Sequence, residues 1–152
     1  MSTDLTPRLI REIVATADLF LSESQRLFRP HGLTAPQYNV LNILAAADDG
    51  RGLSQRELGD ILVVDRSNVT GLIDRMEKCS WVRRADDPVD RRIYRVELTP
   101  KGRKLWARIA PRYLKVVHHV TAGVNAEQIQ STLALLADLQ TRATTWKLPE
   151  AR

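Results

Sequence analysis

The 152-residue chain has a single cysteine, Cys79. One thiol cannot close an internal disulfide, and it cannot supply a Cys-rich zinc site. No run approaches the roughly 18 apolar residues needed to cross a bilayer, and the opening MSTDLTPRLI lacks the basic-then-apolar order of a secretory signal. A cytoplasmic protein with no membrane partner is expected. Internal repeats and low-complexity tracts are also missing. There is no Gly-rich phosphate loop, no His-Glu metal motif and no nucleophile elbow, so an enzyme is not expected, nor is a cofactor. His118 and His119 are adjacent. On a helix they point in different directions and make a poor metal pair, so no metal site is expected. His31, in a loop after Arg29 and Pro30, reads first as a local hydrogen-bonding group.

What is present begins with bulk and charge. Hydrophobic residues make up 43% of the chain, enough for a packed core of about one domain. Lysine and arginine number 23 against 18 aspartate and glutamate, a net charge of +5, with a pI near 9.8. That balance leans towards an anionic partner, but only clustering of the charge can decide it.

Four helix starts are written in one style. LTAPQY (33–38) places Thr34 as N-cap and Gln37 three residues on; LSQREL (53–58) repeats this with Ser54 and Glu57, and VNAEQI (124–129) with Asn125 and Gln128. Each is a capping box flanked by apolar residues that can staple the entry of the chain. TPKG (99–102) is a fourth start, with Thr99 as cap and Pro100 at the first helical position. Apolar spacing then predicts helices over 5–28, 34–47, 54–62, 65–79, 99–121 and 125–146, with Asp65 capping the fourth. Strands are expected at 81–85 and 91–98 around the tip DDPVD. Pro111 should kink or divide the 99–121 helix. The fold is therefore mainly α with a small β-wing, in the order ααααββαα. A compact region at 33–98 is flanked by long helical segments at 1–32 and 99–152. Their apolar stripes exceed what the small central unit can cover, so a homodimer is expected.

LSQRELGDILVVDRSNVTGLIDRMEK carries the functional signal. Val69, Leu72, Ile73 and Met76 form one buried stripe. The opposite face presents Ser67, Asn68, Thr70, Gly71 and Arg75, small and hydrogen-bonding near its N-terminal end. Such a face suits the major groove of double-stranded DNA, where early residues of a recognition helix meet base edges. Asp74 places an anion near that face, and Lys78 four residues on is positioned to neutralise it. The hairpin that follows carries Arg83, Arg84, Arg91, Arg92 and Arg95. Tyr94, Val96 and Leu98 are expected to alternate inward. From the turn, Arg91 or Arg92 can reach a minor groove, with Asp90 bracing an arginine by a charge-assisted bond.

LTAPQYNVL, the stretch just quoted, and WVRRADDPVDRRIYRVELTPKG together resemble the MarR family of winged helix-turn-helix regulators. The likeness is close over about residues 30–105. Its most specific part is Asp90, Arg91 and Arg92 followed by Leu98, Thr99 and Gly102. The resemblance implies a homodimer joined through its terminal helices, a repressor that binds a palindromic operator and releases it when a small aromatic or phenolic effector binds. It implies that Ser67, Asn68, Thr70 and Arg75 face bases or phosphates and Arg91 and Arg92 the minor groove; the expected DNA-binding set also takes in Ser54, Gln55, Arg56, Arg66, Gly71, Arg84 and Asp90. His31, Tyr38, Trp106 and Tyr113 fall in segments that border the family's effector pocket, although core packing is the simpler role for the aromatic residues. Ser80 and Trp81 depart from the family, which more often has glycine and then a small aliphatic residue there. The competing functional class is a winged-helix ligand-binding or protein-interaction module without specific DNA binding.

Overall fold

The computed structural model describes residues 4–47, 51–62, 66–90 and 92–145, with the side chain of Arg66 outside that description. Helix α1 (Thr6–Phe28) runs into a 3-10 turn (Arg29–His31), followed by α2 (Ala35–Ala46), β1 (Leu53–Ser54), α3 (Gln55–Leu62) and α4 (Arg66–Lys78). Strands β2 (Val82–Asp86) and β3 (Tyr94–Leu98) make the hairpin, and α5 (Pro100–Val120) and α6 (Ala126–Thr145) complete the order. Asp65, expected to cap α4, lies outside the described residues.

The starts at Thr34, Ser54, Thr99 and Asn125 have the chemistry assigned to them. Thr34 Oγ1 accepts from Gln37 N, and the Thr34 N–H donates to Gln37 Oε1. Ser54 and Glu57 repeat this reciprocal pair at 2.7 and 3.2 Å, as do Asn125 and Gln128 at 3.1 and 2.8 Å. Thr99 Oγ1 accepts from Gly102 N at 3.0 Å. These contacts satisfy N–H groups that a helix leaves without internal partners.

Two details of the expected pattern are corrected. The short strand β1 was not anticipated; it pairs antiparallel with β3, giving a three-stranded sheet in the order β1-β3-β2. Its two residues are too few to show alternation. Pro111 does not divide α5, which runs through it as one helix. The proline and Ala107, whose carbonyl finds no N–H at position 111, are both exposed, while Ile109 between them is fully buried.

The chain forms two compact units, residues 1–114 and 115–152. The core of the first gathers Phe28, Tyr38 and Leu41 with Leu58, Ile73, Met76, Val82, Val96 and Ile109, all at most 1% exposed. Here the strand pattern needs correction too. Val96 points inward, but Tyr94 is 54% exposed, because it pairs with Asp86 at the far end of the hairpin, beyond the core. In the second unit, α6 buries no residue; Leu136 and Leu139 are only half-buried, and Ile129, Leu133 and Leu135 are exposed. Helix α1 likewise leaves Ile10, Val14, Leu19, Phe20 and Leu21 exposed.

The end of α4 determines how the hairpin departs. Ser80 is left-handed, with φ of 56°. Its N–H donates to Glu77 O, and the Trp81 N–H to Met76 O. This is a Schellman turn with serine where glycine is usual. Trp81 then anchors the start of α5: its carbonyl accepts from Thr99 N at 3.1 Å. A Cβ on Gly102 would fall 1.9 Å from the same oxygen. That contact leaves room for no other residue.

Candidate nucleic-acid interface

Helix α4 has two faces of opposite character. Val69, Ile73 and Met76 are fully buried, which holds Ser67, Asn68, Thr70 and Arg75 outward and exposed. Gly71 is half-buried.

Beside this face, the hairpin is built on ion pairs. Four of its described arginines are held by carboxylates, three of them on the strands. Arg83 donates twice to Glu97 Oε2, at 3.0 and 2.7 Å. Arg84 reaches back to α4, pairing with Asp74 at 2.5 Å and with Glu77, while its backbone N–H donates to Glu77 Oε1. Asp74 is thus neutralised from the wing and not by Lys78, because the β2 guanidinium lies against it. Burial alone would lower the Arg84 pKa, but hydrogen bonding to Asp74 and the charge of Glu77 raise it on balance. Arg95 pairs with Asp87 at 2.6 Å and Glu57 at 3.3 Å.

Gln55 ties this system to the outer face of α4. With its amide oxygen towards Arg84 it accepts from Nε and Nη2 at 3.1 and 2.9 Å, and its nitrogen donates to Thr70 Oγ1 at 3.2 Å. The start of α3, the middle of α4 and strand β2 therefore share one polar network.

Asp87 organises the tip. It is 5% exposed, and accepts from the backbone N–H of Val89 and Asp90 at 2.8 and 2.9 Å. The Asp90 N–H, the Arg95 guanidinium and the Val89 N–H hold its pKa down at about 2. Beyond it, Asp90 grips Arg92 through Nε at 3.0 Å and Nη2 at 3.1 Å. The Arg92 side chain remains 90% exposed, so its direction is set while its surface stays open. Arg91 and the side chain of Arg66 lie outside the described part.

Ser54, Gln55, Arg56, Thr70, Arg84 and Arg92 line one cleft of about 500 Å³ together with Ile93 and Tyr94. Ser67, Asn68 and Arg75 lie on the outer face of α4. Sequence reading missed Asp87, Glu57, Glu77 and Glu97 as braces. The first had a usable signal, since aspartate opening a Pro-containing turn commonly accepts from the N–H groups two and three residues on.

Of the four effector candidates, Tyr38 and Tyr113 are in ring contact. Tyr38 is 1% exposed, stacked on Phe28 at 4.4 Å and tilted against Tyr113 at 4.9 Å. Burial, then the neighbouring Tyr113, pushes its pKa up to about 12. Trp106 Nε1 donates to Asn42 Oδ1 at 3.1 Å, and His31 ends the 3-10 turn, half-buried.

The family model that matches, described as MarR family, covers residues 31–93. The transcriptional activatory protein BadR of Rhodopseudomonas palustris is 32% identical over 120 residues, covering 79% of this chain and 69% of that protein. The HTH-type transcriptional regulator TtmR of Methylorubrum extorquens is 32% identical, covering 97% of this chain and 75% of that one. This chain belongs to the MarR family.

Members of the MarR family are DNA-binding transcription regulators without enzymatic activity. The MarR fold extends over nearly the whole chain: AbsC of Streptomyces coelicolor superposes with a TM-score of 0.80 at 22% identity, covering 96% of this chain and 99% of that one. In this MarR protein, the glycine expected after the recognition helix is replaced by Ser80, which takes up the left-handed conformation itself. No described helix is long and apolar enough to cross a membrane. Among the described residues no group of three or more His, Cys, Asp or Glu is placed to hold a metal ion.

Proposed function

We propose that the protein acts as a homodimeric, ligand-responsive repressor. In this reading α4 enters the major groove of a palindromic operator, and the wing arginines, Arg92 foremost, enter the adjacent minor groove. The observation that carries it is the combination of an exposed, small polar face on α4 with an exposed Arg92 already aimed by Asp90. A pre-aimed guanidinium loses little side-chain freedom on meeting DNA, and a narrow minor groove attracts it.

Within this reading, Ser67, Asn68 and Arg75 contact bases or phosphates. Arg56 and the Ser54 end of α3 contact the backbone. Arg84 and Gln55 hold the reading elements in register, and Thr70 presents its hydroxyl from the same network. Exposed apolar residues on α1 and, separately, on α6 favour pairing with a second copy. An aromatic or phenolic acid acts by opening the packing around Tyr38 and Tyr113. Such a ligand weakens DNA binding only if it prefers the DNA-free arrangement.

The test is a footprint on the DNA upstream of the protein's own gene, joined to a reporter for the sign of regulation. Two protected half-sites with centres about 10 bp apart are expected, and loss of the protein should raise reporter output. One half-site at saturation argues against the dimer, and a fall in output argues against repression. Absence of any footprint favours an interaction module without specific DNA binding. The effector is sought by titrating aromatic acids with and without operator. By reciprocity, a hit that lowers DNA affinity must itself bind more weakly to the complex.

A further inference from the structure

Helix α5 carries six lysine and arginine residues and no acidic one, although the whole chain is only +5; the rest of the sequence holds 17 basic residues against 18 acidic. The entire positive excess of the protein therefore resides on one helix. Its placement is equally uneven. Lys101, Lys104, Arg108 and Arg112 recur every three or four residues and fall within about 80° of the helix circumference, along about 17 Å of its length. All four are exposed. Gly102, Leu105, Trp106 and Ile109 face the core instead.

The braced arginines of the hairpin set a contrast. Arg83, Arg84, Arg92 and Arg95 each face a carboxylate, whereas Lys104, Arg108 and Arg112 face none among the described residues. Mutual repulsion along such a row is tolerated in solvent, but it is relieved when an anion lies along it. We infer that this row is a second DNA-binding surface, one that follows the phosphate backbone outside the segment read by α4 and the wing. The inference rests on the DNA-binding reading of the chain.

Charge spacing favours this occupant. Over 17 Å of axis, one DNA strand presents about five phosphates, against four cations along the row. A second copy of the row is a poor partner because like charges would meet. The acidic residues Glu12 and Glu23 of α1 already pair with Arg8, Arg11 and Arg26. A membrane surface is disfavoured too. Interfacial helices bury an apolar face in lipid, and the apolar face of this half of α5 is committed to the core. The contacts would be sequence-independent, because lysine and arginine bound to phosphate carry no base information.

The experiment compares wild type with a triple variant, Lys104→Gln, Arg108→Gln and Arg112→Gln. A charge-matched control carries Arg8→Gln, Arg11→Gln and Arg26→Gln on α1. Each is titrated against three probes over a range of salt: the footprinted duplex trimmed to its protected core, the same duplex with long flanks, and mixed-sequence duplex DNA. On flanked and mixed-sequence DNA the triple variant should lose roughly 2–3 units of the slope of log affinity against log salt. It should keep the wild-type slope on the trimmed core, and the control should keep it on all three. An unchanged slope on flanked and mixed-sequence DNA overturns the inference, as does an equal loss in the control. A slope that falls equally on the trimmed core also overturns it, by placing the row inside the operator contact. Wild-type binding to polyglutamate or to phosphatidylserine vesicles that the variant loses, with DNA slopes unchanged, would assign the row to another class of partner. If no footprint exists, the operator reading fails by itself and the mixed-sequence probe still decides the role of the row.

Discussion

A Cβ built on Gly71 meets nothing closer than Arg75 Nη1, at 3.6 Å, which is ordinary contact with the end of a flexible side chain. Internal packing therefore gives no reason for glycine in the middle of α4, where it costs about 1 kcal/mol relative to alanine. A surface that must approach a groove closely does give one. Gly71→Ala is expected to raise stability by up to about 1 kcal/mol in urea unfolding while lowering DNA affinity in a gel shift. Retained affinity would remove Gly71 from the interface. Ser80 is the opposite case. A left-handed L-residue costs roughly 1–2 kcal/mol, and the greater freedom of glycine in the unfolded chain offsets roughly 0.5–1 of that. Ser80→Gly should therefore stabilise the protein by about 0.5–1 kcal/mol, seen as a higher urea midpoint with an unchanged slope. A lower midpoint would mean that the serine is held there for another reason.

The wing is an element whose charges divide into braces and tip, and substitutions should separate them. Arg92→Ala should reduce the salt slope of DNA binding by about one unit. Arg84→Ala should lower the melting temperature and weaken binding with little change in that slope, since its guanidinium is already occupied by Asp74 and Glu77. Matching slopes would place Arg84 on a phosphate. Acid provides a second handle. Asp87 is held at about 2 in the folded wing, against about 3.9 in an unfolded chain. A depressed carboxylate stabilises the fold fully above the unfolded value, and the effect fades as pH falls from there towards 2. Asp87→Asn should flatten the decline in stability across that window, as followed by thermal melts; an unchanged profile would mean that other carboxylates control it. Much of this element was legible in sequence, because its strands lie between a proline turn and a capped helix. The pairing of its charges was not. Arg84 finds Asp74 across 10 residues, and Arg95 finds Glu57 across 38, contacts that arise only once β1, α3 and α4 are packed together. Local spacing offered Lys78 for Asp74, and tertiary contact overrode it. The same limit applied to Tyr94, since alternation locates a face but not where the core beneath it ends.

At the scale of the whole molecule, the apolar side chains left open on α1 and α6 are expected to close against a second copy. Sedimentation at micromolar concentration should give about twice the 17.2 kDa of one chain. The melting temperature should rise with protein concentration, as it does when folding and association are linked. A concentration-independent monomer that still protects two half-sites would overturn the arrangement. Capping boxes and helical periodicity made the long helices legible from sequence, because both signals are local. Where the chain divides into compact units was not legible. The α5 helix is continuous through residue 114, and its periodicity does not register that its neighbours change.

The junction of Trp81 with Thr99 and Gly102 has a mechanical consequence. Two hydrogen bonds from Thr99 to the Trp81 carbonyl, and a helix backbone pressed onto the same atom at Gly102, leave almost no slack between the end of α4 and the first turn of α5. A tilt of α5 therefore cannot be absorbed at its base. A tilt is expected to carry the end of α4 with it, as a crank turns its shaft, with the gearing fixed by one missing methyl group.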